Sequence, residues 1–286
     1  MSDPVGGDGG RTQAVLHRTQ ALSRRLEGAQ ADGARRFVTA CRRLTAESPG
    51  VWLEVAGGVA VYAGPHSPMN GAAGLGLSGP VSADDVARLR EFFHSRGEAA
   101  VVEVSPFADS SLLKRLVYDG FRLNECKMRW LADPKSMASA EPAPGPVTVE
   151  ECVDRDLWPA VVARGFSDGR PLEASDLDLA RGFAAMDGVV LFLGRVNGEP
   201  AGGGALDAAS GIAAMFAGSV LPAFRGRGVQ SALVAARLAW ARRHDVSWVT
   251  VETDPASISQ RTMERAGFAL AYTKVVLRRP SERGEG

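Results

Sequence analysis

Two stretches of the chain repeat the same order of predicted elements and align without a gap. Residues 101–121 and residues 248–268 each run through a strand, a loop, a helix and a Gly-Phe pair that opens another strand. In both strands valines alternate with polar residues, which is the period of a half-buried strand. A helical pattern upstream, at residues 82–94 and 230–242, overlays when the offset is shifted by one residue. The sequence therefore predicts an internal duplication.

A proline-rich segment separates the two halves. Residues 133–146 read DPKSMASAEPAPGP, and proline cannot donate the backbone hydrogen bonds that helices and sheets need. We predict a linker at residues 134–146 between a first domain at residues 11–133 and a second domain at residues 147–286. Residues 1–10 are rich in glycine and aspartate, which predicts a disordered N-terminus.

Each half mixes strand and helix patterns. In the first half we expect a helix at 13–43 and strands at 51–63 and 74–77, and in the second a strand at 147–152, helices at 156–165 and 175–186, and strands at 189–196, 200–208 and 212–221. A meander of antiparallel strands with one helical crossover is consistent with this order. The predicted fold class is α/β (α+β), with a mixed, mostly antiparallel central sheet flanked by helices in each of the two domains.

The segment that follows the strand ending at Leu221 is suited to bind an anion. Gly226 and Gly228 come between this strand and the next predicted helix. The first turn of a helix carries unpaired N–H groups and the positive end of the helix dipole. The two glycines let the backbone curl so that successive amides converge on a phosphate, and Arg225 and Arg227 add cationic donors.

Other phosphate-binding loops do not fit the surrounding sequence. A dinucleotide-binding loop needs a third glycine and an early βαβ unit, and the preceding strands here are predicted to be antiparallel. A P-loop needs Gly-Lys-Ser/Thr, which is absent. Ser231, in the first turn of the helix, is expected either to cap the helix or to donate to a phosphate.

Residues 220–230, which read VLPAFRGRGVQ, resemble the acetyl-CoA signature of the GNAT superfamily, usually written Arg/Gln-x-x-Gly-x-Gly/Ala. The order of elements after it also matches that superfamily, and the resemblance covers residues 147–279. It implies acetyl-CoA as co-substrate without a metal, loop amides that bind the pyrophosphate, and a strand end whose backbone pairs with pantetheine. Gln230 departs from the signature, which has Gly or Ala at that position. The cofactor-binding residues implied in this way are Val220, Leu221, Arg225, Gly226, Arg227, Gly228, Val229, Gln230 and Ser231.

The equivalent loop of the first half lacks these features. Residues 78–83 read SGPVSA, with no arginine and one glycine fewer, and Pro80 removes an amide donor. We predict that this copy does not hold a pyrophosphate. The whole chain resembles a tandem GNAT protein with a degenerate N-terminal copy.

Acetyl transfer to an amine needs a base that removes a proton, and often an acid that protonates the departing thiolate. Members of the superfamily often use a tyrosine as that acid, at the position where this chain has Met263. The candidate base is Glu252, at the end of the strand 248–253, and the alternative is a carboxylate paired with an arginine. Ser257 and Ser259 are candidates to act near the thiol, and the alternative is that they cap the helix that they begin.

By the same resemblance, the helices within residues 158–186 shape the acceptor site. Four aromatic residues either line an acceptor pocket or belong to the core: Trp158, Phe166, Phe183 and Phe216. Acidic residues in this region suit either a cationic amine or an ordinary solvated helix face.

We therefore expect direct transfer of acetyl from acetyl-CoA to an amine of a small molecule, in a ternary complex. Two alternatives stay open. One is another CoA-dependent or aminoacyl transferase on the same fold, and the other is an inactive CoA-binding sensor or scaffold, which the missing tyrosine motivates.

Composition excludes several other classes. The 33 basic and 33 acidic residues balance, which argues against binding to nucleic acid. The three cysteines lack CxxC spacing, which argues against a zinc site, and no apolar run is long enough to span a bilayer. The start of the chain has no secretory pattern, so we expect a cytoplasmic protein that needs no membrane, whose oligomeric state the sequence leaves open.

Overall fold

The computed structural model describes residues 20–137, 145–209 and 211–281. Residues 1–10, predicted to be disordered, and residues 138–144 of the predicted linker lie outside the described residues. In the described ranges the helices are α1 (Gln20–Leu44), α2 (Ala83–His94), α3 (Ser110–Tyr118), α4 (Leu157–Ser167), α5 (Ala174–Ala184), α6 (Val229–Arg243) and α7 (Ile258–Arg265). The strands there are β1 (Val51–Val55), β2 (Gly58–Tyr62), β3 (Gly71–Ala73), β4 (Ala100–Val104), β5 (Arg122–Ala132), β6 (Val147–Glu151), β7 (Val189–Val196), β8 (Glu199–Asp207), β9 (Ala213–Val220), β10 (Val249–Thr253) and β11 (Ala269–Arg279).

These strands form one sheet in the order β1-β2-β3-β4-β11-β5-β10-β9-β8-β7-β6. The pairs β3–β4 and β9–β10 are parallel, and the other neighbours are antiparallel. Helix α2 connects the first parallel pair and α6 connects the second. The predicted fold class, a mixed and mostly antiparallel sheet flanked by helices, is confirmed.

The two halves exchange their last strands at the centre of the sheet. Strand β5, the last strand before the predicted linker, pairs with β10 and β11, which both come from the second half. Strand β11, the last of the described chain, pairs with β4 of the first half on its other edge. Backbone hydrogen bonds therefore join the two halves, and neither half has its complete sheet by itself.

Two local predictions in the first half need correction. The expected strand at residues 74–77 is wrong: the strand ends at Ala73, and Gly76 instead donates to the carbonyl of Ala56 and accepts from the amide of Asp109. These loop contacts take the hydrogen bonds that a strand would need. The expected strand at 51–63 is a hairpin, because Ala56 and Gly57 have positive φ angles and reverse the chain between β1 and β2.

Helix α1 crosses the junction between the halves. Its buried residues Phe37 and Val38 pack in one apolar cluster with Trp158 of α4. Leu22 and Leu26, near its start, pack in another cluster with Tyr272 of β11. Removing each such side chain from water stabilises the fold by about 1.5–3 kcal/mol, so α1 holds the second half's helices and the exchanged strands together.

Candidate active site

The end of β9 leads into a glycine turn and then into α6. A short 3-10 turn at Pro222–Phe224 follows Leu221, and α6 begins after Gly228. Gly226 and Gly228 have φ angles of 75° and 83°, in the left-handed region that glycine adopts without strain. Gly228 is the N-cap, and no side chain caps α6. Capping by Ser231 is therefore wrong, and its hydroxyl is left for the second predicted role, donation to a phosphate.

A cavity of about 1400 Å³ opens beside this turn. Helix α6 lines one side of it, and α7, Gly267 and residues 132–137 line others. Of the predicted cofactor residues, the cavity is lined by Val220, Arg225, Gly226, Gly228, Val229, Gln230 and Ser231. The structure thus brings the glycine turn, the start of α6 and the end of β9 to one concave surface.

Leu221 and Arg227 are the two predicted cofactor residues that do not line this cavity. The amide of Leu221 donates to the carbonyl of Ala201, and its carbonyl accepts from Phe224. The guanidinium of Arg227 lies 5.5 Å from the ring centre of Phe224. Leu221 thus has both backbone groups engaged and lies outside the cavity, whereas Val220 lines the cavity.

Strand β9 separates from β10 where it borders the cavity. The parallel pairing ends with Met215 opposite Val251. On the other side, the register with β8 shifts between Gly203 and Ala205, and Ala217 has a φ angle of 49°. Beyond Met215 the strand therefore bulges and leaves an edge towards the cavity that β10 does not cover.

Arg225 ties the glycine turn to the end of α4. Its guanidinium forms an ion pair with Asp168 and donates to the carbonyls of Gly165 and Val220. Asp168 is the C-cap of α4, and Gly165 lines the cavity. Arg225, which is expected to bind the pyrophosphate, thus also links the loop to α4, which is expected to shape the acceptor site.

Glu252 is not among the residues that line the cavity; it lies where β9 and β10 part, one residue beyond the last residue of β10 that pairs with β9. Its side chain is 23% exposed and forms ion pairs with Arg129, at 2.8 Å, and with Lys274. Val251 packs against the core beneath α6, so by the alternation of a strand Glu252 lies on the opposite face, towards α1. Burial raises the pKa of Glu252 above its usual value, although Arg129 and Lys274 oppose this.

The ion pair of Glu252 with Arg129 matches the arginine-paired alternative, and it belongs to a larger buried charged cluster beneath α1 that the sequence does not predict. The exchanged strands supply its cations, Arg129 from β5 and Lys274 from β11. Carboxylates come from the surrounding elements: Glu27 of α1, Glu103 of β4 and Glu252 of β10. The available signal was a charged residue between apolar neighbours in each strand, MRW at 128–130 and TKVVL at 273–277.

The two serines predicted to act near the thiol, Ser257 and Ser259, have different environments. Ser257 is the N-cap of α7: its hydroxyl accepts from the amide of Gln260 at 3.0 Å and donates to the carbonyl of Asp254. This is the capping alternative. Ser259 lines the cavity. Met263, at the position of the usual tyrosine, is buried in the core beneath α6.

The aromatic residues of the acceptor region are mostly core. Trp158 is fully buried and donates from Nε1 to the carbonyl of Phe192. The ring of Phe183 lies 4.9 Å from that of Phe37 in α1 and 5.2 Å from that of Phe216. Phe166 is 54% exposed and lines the cavity.

In residues 20–137, 145–209 and 211–281, no group of three or more His, Cys, Asp or Glu residues is arranged to hold a metal ion. Of the helices in those ranges, none combines the length and the apolar character needed to cross a membrane.

The second half of the chain is similar to a known protein family, and the fold is similar to solved structures. Residues 158–268 match the model of the acetyltransferase (GNAT) family. A GCN5-related N-acetyltransferase from Kribbella flavida superposes with a TM-score of 0.65 at 18% identity, covering 89% of this chain and 96% of that one. A tandem GNAT protein from the clavulanic acid biosynthesis pathway superposes with a TM-score of 0.56 at 17% identity, covering 80% of each chain. At these identities the solved structures show a shared fold. No curated protein matches.

Proposed function

We propose that this chain, whose residues 158–268 match the acetyltransferase (GNAT) family, transfers the acetyl group of acetyl-CoA to an amine of a small molecule. Transfer is direct, in a ternary complex of protein, acetyl-CoA and acceptor. The proposed active domain is residues 147–286, and residues 11–133 form a degenerate copy.

One observation carries this proposal: the uncapped start of α6 opens into the same cavity as the free edge of β9. The unpaired amides of the first turn are donors for the pyrophosphate, and the edge of β9 offers backbone groups to the amides of pantetheine. A ligand with an anionic group at one end and an extended amide chain at the other fits this pair of features.

Glu252 is the proposed base. Its position at the fork between β9 and β10 is close to where a thioester carried along β9 would end. Because its pKa is raised, its carboxylate accepts a proton more readily near neutral pH than an ordinary glutamate does. Ion pairs with Arg129 and Lys274 fix its orientation.

The departing thiolate needs a proton from another group. Ser259 lines the cavity and is the proposed contact near the thiol, whereas Ser257 is engaged as the cap of α7. A serine hydroxyl is a weak acid, so we propose that Ser259 orients the sulfur or a water rather than acting alone.

The acceptor is proposed to enter between α4, α5 and α1. Phe166 and Gly165 border the cavity from α4, and α1 packs against α5 through Phe37 and Phe183. The first half would then cover one side of the acceptor site, which gives the degenerate copy a structural purpose.

The test is release of CoA from acetyl-CoA by the purified full chain in the presence of a panel of small amines. We expect amine-dependent release for at least one class of amine. Tight binding of acetyl-CoA without release for any amine would instead favour the inactive sensor.

A further inference from the structure

Arg237, in the middle of α6, is a buried cation with no carboxylate among its contacts in the described part of the chain. Its side chain is 2% exposed. The guanidinium donates to three backbone carbonyls, those of Leu233 at 3.0 Å, Ala205 at 3.3 Å and Phe216 at 3.5 Å. Burial lowers the pKa of Arg237 to about 10, which still leaves it charged at neutral pH.

Such a residue is costly to the fold. An ion removed from water loses several kcal/mol of hydration, and apolar residues of similar volume often replace buried ions without loss of stability. The other buried cations in the described ranges, Arg129 and Lys274, each face carboxylates. Packing alone therefore does not explain an arginine at position 237.

The guanidinium lies directly behind the bulge of β9. A Cβ atom added to Gly204 of β8 would lie 3.0 Å from its Cζ, and one added to Gly218 of β9 would lie 3.6 Å from its Nη2. Gly204 therefore leaves space for the arginine, and Gly218 lies within van der Waals distance of it. Gly218 lines the cavity, so the positive charge is separated from it by about one layer of backbone.

The contact with Phe216 connects the charge to the bulge itself. Phe216 is the residue before Ala217, whose φ angle of 49° turns the chain at the bulge. A donor on a peptide carbonyl polarises that peptide and strengthens hydrogen bonding by its N–H group. The peptide that joins Phe216 to Ala217 is therefore held in place and polarised from behind by Arg237.

We propose that Arg237 is a positioning residue for acyl transfer: it holds the bulge of β9 so that backbone N–H groups there polarise the thioester carbonyl of the acyl donor. The inference rests on the proposed function, because it needs a thioester bound along β9. As the amine attacks, negative charge develops on the carbonyl oxygen. Oriented amides, with a fixed positive charge behind them in a water-poor site, stabilise that charge.

The experiment measures the carbonyl directly and needs no acceptor. Acetyl-CoA labelled with ¹³C at the acetyl carbonyl is bound to the full chain, and its ¹³C chemical shift is compared with that of the free compound. We expect a downfield shift with the wild type, a clearly smaller one with Arg237→Met, and partial recovery with Arg237→Lys, which restores a charge. Calorimetric affinity for acetyl-CoA should stay within about threefold, since the pyrophosphate contacts are untouched.

Two further variants complete the design. Arg237→Gln also removes the charge, and it decides the question if the Met variant does not fold. Arg243→Met removes an exposed arginine from the same helix and should leave the shift at its wild-type value. Equal shifts in the wild type and in the folded uncharged variants would overturn the role of Arg237 and leave the proposed function standing. Absence of acetyl-CoA binding by the wild type would overturn both.

Discussion

The helices α2 and α6 occupy equivalent places in the two halves, yet their N-termini differ. In α2, Ser82 and Asp85 form a reciprocal capping box, with hydrogen bonds of 3.0 and 2.9 Å, and Asp84 and Asp85 lie in the first turn. In α6 the N-cap is Gly228, with no side-chain cap and no acidic residue in the first turn. The first end satisfies its own amides and repels anions, whereas the second leaves its amides to a ligand.

The loops that precede these helices differ in the same sense. Before α2, Val81 donates to the hydroxyl of Ser111 and accepts from Arg115. Before α6, the turn borders the 1400 Å³ cavity. The two strand–helix units thus differ: the N-terminal end of α2 is tied to its own half, and that of α6 is open. We infer that the N-terminus of α6 can bind an anionic ligand because it lacks both a side-chain cap and acidic residues in its first turn.

The largest effect on acetyl-CoA binding should come from changing the glycine turn at the N-terminus of α6. Arg225→Ala combined with Gly228→Pro should abolish calorimetric binding of acetyl-CoA, because proline cannot adopt the φ angle of 83° at residue 228. The matched change in the first half, Pro80→Ala, should leave affinity unchanged. Unchanged affinity in the Arg225/Gly228 variant would mean that the pyrophosphate binds elsewhere.

Glu252 gives a second contrast between the halves, because Ser105 is its counterpart in the aligned repeats. Glu252→Gln should lower turnover by roughly two to four orders of magnitude at similar acetyl-CoA affinity. Ser105→Ala should leave turnover close to that of the wild type. Because burial raises the pKa of Glu252, wild-type kcat/KM should fall as pH drops through a value above 4.5, and the variant should lose this limb. A loss of stability without a loss of turnover per folded molecule would make Glu252 a structural ion pair.

The charged cluster tests how firmly the exchanged strands join the halves. Lys274→Met should destabilise the chain by about 3–5 kcal/mol, because it leaves Glu27, Glu103 and Glu252 short of a cation in a buried site. Lys135→Met, which removes an exposed ion pair with Asp245, is the surface control. Chemical denaturation measures both, and equal midpoints would show that the cluster does not hold the junction.

The smallest effect should come from the capped end. Ser82→Ala should reduce stability by about 1 kcal/mol, the usual contribution of an N-cap, and leave acetyl-CoA affinity unaltered. A fall in affinity would show that the first half's helix end communicates with the cavity. Thermal unfolding and calorimetry on one preparation separate the two results.

How well the sequence predicts each of these features depends on how far apart along the chain the residues that determine it lie. The glycine turn and the start of α6 depend on neighbouring residues, so the local sequence was enough to predict them. The exchange of β5 and β11 depends on which distant strand each meets, and alternation within a strand does not specify its neighbour. Glu252 was identified as a charged strand end, but its partners come from other strands far along the chain. The sequence shows Arg237 as a charge inside the buried stripe of α6. Its contact with the bulge of β9 is evident only from the structure.

The stoichiometry of acetyl-CoA binding to the full chain tests the asymmetry of the halves most directly. Titration calorimetry, with protein concentration fixed by amino-acid analysis, should give one molecule bound per chain, because of the two equivalent helix ends, those of α2 and α6, the α6 end is the uncapped one and borders a cavity. The Arg225→Ala/Gly228→Pro variant, titrated in parallel, should give none. Two equivalent sites per chain, or one site that survives in that variant, would contradict the account.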